Sequence, residues 1–214
     1  MLSIDTIKLL LIISFFLLGF NLMYIILFKR KYNRNKSHNE IDGKLKETRL
    51  LARIGVVVLS IFIVLCSINI FIYQYVIKLI PRINFFLLDD MFQIVGFTLI
   101  IGGNITLFLA YKELGIYWSY PIDGISKKRK LIITGIYSQI RHPVYLSFNL
   151  ISIGLVLLQL DWILLVMYVL GAIGLYFQAI DEELILIEYF GQEYENYIKK
   201  TGRFFVHIKK KSNE

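Results

Sequence analysis

The chain has 214 residues, 57% of them apolar and 15% aromatic, with a mean hydropathy of +0.62 and a formal net charge of +8. So apolar a composition excludes an ordinary soluble globular domain and points to the bilayer. The positive charge then reads as membrane topology and attraction to anionic headgroups, with no nucleic-acid surface implied, and the lone Cys66 rules out a disulfide framework or a thiolate metal site.

Taken in chain order, residues 7–28, 54–77 and 91–111 are apolar runs of about 21 to 24 residues, each long enough to span a membrane as a helix. The first is followed by Lys29-Arg30-Lys31 and lacks a small-residue cleavage site, so it is expected to be a retained anchor. Residues 32–47 are polar and read as a loop with some helix. Residues 144–180 hold no Lys or Arg and a single carboxylate, Asp161. As one helix at about 1.5 Å per residue this stretch would reach roughly 55 Å, nearly twice the ~30 Å hydrocarbon core. It is therefore expected to fold back at Leu160-Asp161-Trp162 as a helical hairpin. The predicted fold is an all-α polytopic membrane protein of about five transmembrane helices, ending in a helical segment outside the bilayer.

Of the 24 Lys and Arg residues, 9 fall in 29–53, 6 in 112–143 and 6 in 181–214, segments that alternate with the helices and so share one side. The positive-inside tendency assigns that side to the cytoplasm and places the N-terminus and Asp161 outside, in a multi-pass protein of the cell membrane.

The cytoplasmic face carries the motifs. Leu114-Gly115-Ile116-Tyr117-Trp118-Ser119 precedes a basic cluster, Lys127-Lys128-Arg129-Lys130, and then Thr134-Gly135-Ile136-Tyr137-Ser138-Gln139-Ile140-Arg141-His142-Pro143-Val144-Tyr145. Pro143 suits the first turn of a helix, where its missing N–H costs nothing. Arg141 and His142 would then sit beside the positive helix end, a place for a carboxylate or phosphate. Beyond the hairpin, Asp181-Glu182-Glu183 stands at the membrane boundary, with Gly191 as an expected helix cap. Successive helical residues point about 100° apart, so one or two of these acids can face a common pocket and the rest are expected to be solvated. Tyr194 and Tyr197 follow at helical spacing and lead to Arg203-Phe204-Phe205.

The ordered set resembles the family of integral-membrane methyltransferases that includes isoprenylcysteine carboxyl methyltransferase and the phospholipid methyltransferases. The motifs that carry the likeness are Leu-Gly-x-x-Trp-Ser at 114–119, Arg-His-Pro-x-Tyr at 141–145, Glu-Glu-x-x-Leu-x-x-x-Phe-Gly at 182–191, Glu193-Tyr194-x-x-Tyr197 and Arg203-Phe204. The resemblance implies an S-adenosylmethionine-dependent enzyme that methylates a lipophilic, lipid or lipidated acceptor, and it divides the chain into N-terminal helices (1–110), a catalytic region (111–205) and a basic tail (206–214). Arg141 and His142 would meet the carboxylate of the cofactor. Glu182 or Glu183 would accept from its ammonium or hydroxyls, and Tyr145 and Trp118 would pack against its adenine or sulfonium. Methyl transfer is a direct displacement and needs no metal. Arg203 is the implied holder of a substrate carboxylate, and Glu183 or Glu182 the base for an amine or phenol.

Gln178 stands where that family usually has Arg, which weakens the case for a prenylated-cysteine carboxylate as acceptor. Two other classes compete. A membrane reductase of the sterol-reductase type would bind NADPH, and a non-catalytic membrane protein would keep the fold alone.

Overall fold

The structure, a computed structural model, describes residues 2–33, 50–76, 83, 84, 88–115 and 130–206. It is all-helical: α1 (Ile4–Asn33), α2 (Leu50–Val76), α3 (Asp89–Leu114), α4 (Pro143–Gln159), α5 (Trp162–Phe190) and α6 (Gln192–Lys200), with a 3-10 turn at Gly135–Ser138 before α4. Three of these, in α1, α3 and α5, are long and apolar enough to cross a membrane. Outward-facing side chains such as Phe16, Ile61, Phe71, Ile94, Ile105, Val166 and Ile173 are exposed, an arrangement that suits hydrocarbon and not water.

Small residues decide which helices pair. α4 packs on α3, and α5 on α2. A Cβ on Gly154 would lie 2.5 Å from the Gly96 carbonyl oxygen, and one on Gly103 would lie 2.7 Å from the Ile151 side chain. On the other seam a Cβ on Gly174 would lie 2.1 Å from the Gly55 Cα. The backbones touch, as small residues in apolar helices permit. Intramembrane amides add local ties. Asn21 Nδ2 donates to Asn104 Oδ1 at 3.0 Å, and Gln93 joins the Leu2 N–H to the Leu158 carbonyl.

Between α4 and α5 the chain reverses at Leu160, whose φ of 54° makes it the one non-glycine residue in the left-handed region among the described residues. The buried Asp161 then caps α5, its Oδ1 accepting from the N–H groups of Ile163 at 2.7 Å and Leu164 at 3.1 Å. The Ile83 N–H closes on the Leu160 carbonyl at 2.8 Å. From this reversal the two helices return to a common end. There Gly191, at φ 54°, stops α5 with its N–H on the Ile187 carbonyl. α6 buries Tyr194 and Tyr197 and exposes its charges. The strand-like segment 201–206 that follows lies alongside 139–142, with a parallel bridge between Ile140 and Gly202.

Candidate active site

Pro143 occupies the first turn of α4 with His142 as its N-cap residue, so the helix start fixes where the Arg-His pair stands. Backbone bonds hold that pair against the C-terminal segment. Gly202 N–H donates to the Gln139 carbonyl at 3.2 Å, Arg141 N–H to the Gly202 carbonyl at 2.9 Å, and His142 N–H to the Arg203 carbonyl at 3.1 Å.

The side chains then converge on one carboxylate. Glu183, on the last turns of α5, accepts at Oε1 from Arg141 Nε at 2.9 Å, His142 Nε2 at 3.1 Å and Arg203 Nε at 3.1 Å. Its Oε2 accepts from Arg203 Nη2 at 2.6 Å. The Arg203 fork is bidentate, the stronger form of such a pair, and the Glu183 carboxylate raises the Arg203 guanidinium further above its usual range. The Arg203 guanidinium also lies 5.4 Å from the centre of the Tyr176 ring. Arg141 turns its Nη1 to the backbone carbonyls of Ile198 and Thr201, closing the C-terminal end of α6.

Glu182 points the other way, as a 100° step requires. Its Oε2 accepts from the Tyr145 hydroxyl at 2.9 Å and lies 3.6 Å from His142 Nδ1. The His142 and Tyr145 rings stack at 5.3 Å with 5° between their planes. Arg141, His142, Tyr145 and Glu182 all line a cavity of about 390 Å³, whereas Glu183 and Arg203 stand outside its lining. The volume falls in the ~300–1,000 Å³ range of pockets that enclose small ligands. The lining mixes these polar groups with apolar side chains, among them Leu22 of α1, Leu59 and Ile63 of α2, Phe148 of α4 and Leu186 of α5.

The third acid corrects the expectation that the leftover acids are solvated. Asp181 is buried, as is Glu183, the latter under Arg203 of the returning segment. Trp118 and the cluster 127–129 lie outside the described residues, and only Lys130 of that run is seen, exposed at the cavity edge. Aromatic residues that the motifs alone did not single out for the pocket also join the lining: Tyr111 on the last turn of α3, Tyr137 in the 3-10 turn, Phe148 on α4, Phe190 at the end of α5, and Tyr194 and Tyr197 on α6. Tyr137 sits inside the motif run, so its position was on view; nothing in the sequence marks Tyr111. Burial pushes the phenols of Tyr137, Tyr194 and Tyr197 above the ordinary tyrosine range, which keeps them as O–H donors. Tyr197 uses its hydroxyl on the Tyr137 carbonyl at 2.6 Å, joining α6 to the turn before α4.

Residues 94–188 match the model of the isoprenylcysteine carboxyl methyltransferase (ICMT) family. The chain is 32% identical over 129 residues to the protein-S-isoprenylcysteine O-methyltransferase of Saccharomyces cerevisiae, a match covering 58% of this chain and 54% of that protein. The Xenopus laevis protein of the same name is 30% identical over 118 residues, covering 53% and 41% respectively. That of Schizosaccharomyces pombe is 31% identical over 94 residues, covering 43% and 40%. The chain thus spans about half, or less, of the length of these curated relatives. The likeness read from the motifs holds over the family stretch, which takes in Arg141, His142, Tyr145, Glu182 and Glu183 and ends before Arg203.

Proposed function

We propose that this chain is an integral-membrane, S-adenosylmethionine-dependent methyltransferase acting on a lipophilic or lipidated acceptor at one membrane face. The observation that carries the reading is the cavity, whose lining brings Arg141, His142 and Glu182 together with apolar side chains of α1, α2, α4 and α5. The donor set suits the cofactor. Glu182 can accept from an ammonium or from ribose hydroxyls, Arg141 and His142 are in the lining as candidates for a carboxylate, Arg141 through what its bonds to Glu183, Ile198 and Thr201 leave of its guanidinium, and Tyr111, Tyr137 and Tyr145 offer rings to an adenine. Trp118 remains a stacking candidate beyond the described residues. When bound, S-adenosylmethionine supplies an electrophilic methyl group on a sulfonium centre.

The residues of the chain then have three tasks: they bind, align and exclude water. The apolar side chains of the lining suit a lipophilic acceptor and keep water from the polar groups. For a carboxylate acceptor no base is needed, since it is ionised at neutral pH. For an amine or hydroxyl acceptor Glu182 is the better-placed base, because Glu183 already has bonds on both oxygens.

The reading includes five membrane crossings, with α2 and α4 added to the three long spans, the N-terminus outside and the C-terminus cytoplasmic. Support comes from the 27 residues of α2 and the 17 of α4, the latter near the lower limit for a crossing. Reporter fusions after residues 40, 85 and 214 should read inside, outside and inside; an inside signal at 85 overturns this topology.

Titration of the purified protein with S-adenosylmethionine and, separately, NADPH tests the function. Saturable binding of the first alone is expected, followed by label transfer from methyl-labelled cofactor to a component of a lipid extract. Absence of S-adenosylmethionine binding would sink the reading, and binding of NADPH instead would favour the reductase.

A further inference from the structure

We infer that Arg203 is a positioning residue whose work is to hold His142 and Glu183 in place, and that it does not bind the acceptor. The inference rests on the methyltransferase reading for its kinetic consequence and on hydrogen-bond geometry for its structural one.

Arg203 reaches His142 twice. Its backbone carbonyl accepts the His142 N–H at 3.1 Å, and its guanidinium grips both oxygens of Glu183, which in turn holds His142 Nε2 at 3.1 Å. The next residue, Phe204, tilts against the His142 ring with centroids 6.0 Å apart. The imidazole is thereby fixed at its backbone, at Nε2 and on one edge, and its further contacts, the parallel Tyr145 ring and Glu182 at 3.6 Å from Nδ1, belong to the cavity lining. The fork commits Nε and Nη2 of Arg203 to Glu183, and its guanidinium carbon lies 5.4 Å from the centre of the Tyr176 ring, so its position is set by the junction. Arg203 is also absent from the cavity lining, while the residues it holds through Glu183, Arg141 and His142, are part of it.

A residue that binds the acceptor and a residue that holds the pocket wall respond differently to substitution. Removing the fork frees Glu183 from one of its three partners and loosens the 201–206 segment from 139–142. Both changes act on the cofactor end of the cavity. Arg203→Gln in the full-length, detergent-purified protein should weaken S-adenosylmethionine binding by about tenfold, the equivalent of roughly one charge-assisted hydrogen bond. It should also raise amide hydrogen exchange at Gly202, Arg203, Arg141 and His142, a readout independent of any ligand. KM for the acceptor, measured at saturating cofactor, should stay as in the parent.

Arg203→Lys guards against a simple failure to fold. Lysine keeps the charge but not the fork, so it should restore part of the cofactor affinity and part of the exchange protection. Parent-like cofactor affinity and exchange in Arg203→Gln, with a raised acceptor KM, would overturn the inference and return Arg203 to the acceptor. If the parent itself binds no S-adenosylmethionine, the methyltransferase reading fails by that result. The exchange measurement then still decides the positioning role: unchanged protection at Gly202 and His142 in both variants refutes it.

Discussion

The glycine seams and the polar junction hold the same helices by opposite means. Along α3 with α4, and α2 with α5, backbone meets backbone at Gly96, Gly154, Gly55 and Gly174, with no room for a side chain. Where α4 and α5 return to a common end, they are joined instead by long polar side chains reaching Glu182 and Glu183. Beside that join lies the cavity. Close packing needs no directional bonds and leaves no space, whereas side-chain bridges impose geometry and leave a gap that a ligand can fill. The seams therefore set the framework, and the junction sets the chemistry.

Cutting the junction should have the largest effect. Glu183→Ala leaves Arg141 and Arg203 facing each other without their shared counter-charge. Removal of one partner from a buried ion pair costs about 3–5 kcal/mol, and the partial exposure of Arg203 points to the lower end. Thermal unfolding in detergent should show a midpoint well below the parent's; an unchanged midpoint would mean that this cluster is not structural.

Disturbing a seam should rank second. Gly174→Ala puts a methyl group 2.1 Å from the Gly55 Cα, so α2 and α5 must separate. Overpacking of this kind costs about 1–3 kcal/mol. Gly102→Ala is the control, because nothing lies within 4 Å of its added Cβ, and it should fall within about 0.5 kcal/mol of the parent. Equal stability of the two variants would refute the contrast between packed and open glycines.

What was legible in the sequence was local. Pro143 at the start of α4 and Gly191 at the end of α5 are each written in one residue whose backbone chemistry decides the matter, whereas nothing in Leu160 announces its left-handed φ. The length of the apolar stretch suggested that Arg141-His142 and Glu182-Glu183 could meet, and hydrogen bonds join the two pairs. The division of labour between Glu182 and Glu183 was not legible. A 100° step says that neighbours diverge, but only the packed neighbours of α5 say which one meets Arg203 and which one the cavity. The pairing of Gly55 with Gly174 was hidden for the same reason, because small residues mark a contact without naming the partner. Arg141 shows the limit most clearly: the motif suggested a ligand for an anion, yet part of its guanidinium closes α6 on the carbonyls of Ile198 and Thr201.

The far end of α4 and α5 offers a smaller test. Asp161→Ala removes the two side-chain bonds that cap α5 and should cost about 1 kcal/mol of stability. Because Asp161 lies at the opposite end of these helices from the cavity, affinity for S-adenosylmethionine should not move. A matching loss of affinity would show that the turn and the junction are coupled along the helices, contrary to the separation drawn between framework and chemistry.

Tyr145→Phe should have the smallest effect on the fold and the most selective one on the site. The substitution keeps the ring that stacks on His142 and removes only the hydroxyl that donates to Glu182 at 2.9 Å. A hydrogen bond to a carboxylate is worth about 1.5–3 kcal/mol, and the partial exposure of Glu182 points to the lower end. That corresponds to a rise of roughly tenfold in the dissociation constant for S-adenosylmethionine, if Glu182 must be held in one orientation to accept from the cofactor. The unfolding midpoint should stay near the parent's, because the junction at Glu183 is untouched. Tyr145→Phe and Glu183→Ala therefore separate the two neighbouring acids, the first reporting on ligand affinity alone and the second on stability as well. A Tyr145→Phe protein that lost stability while binding the cofactor as the parent does would invert that assignment and make Glu182 part of the framework.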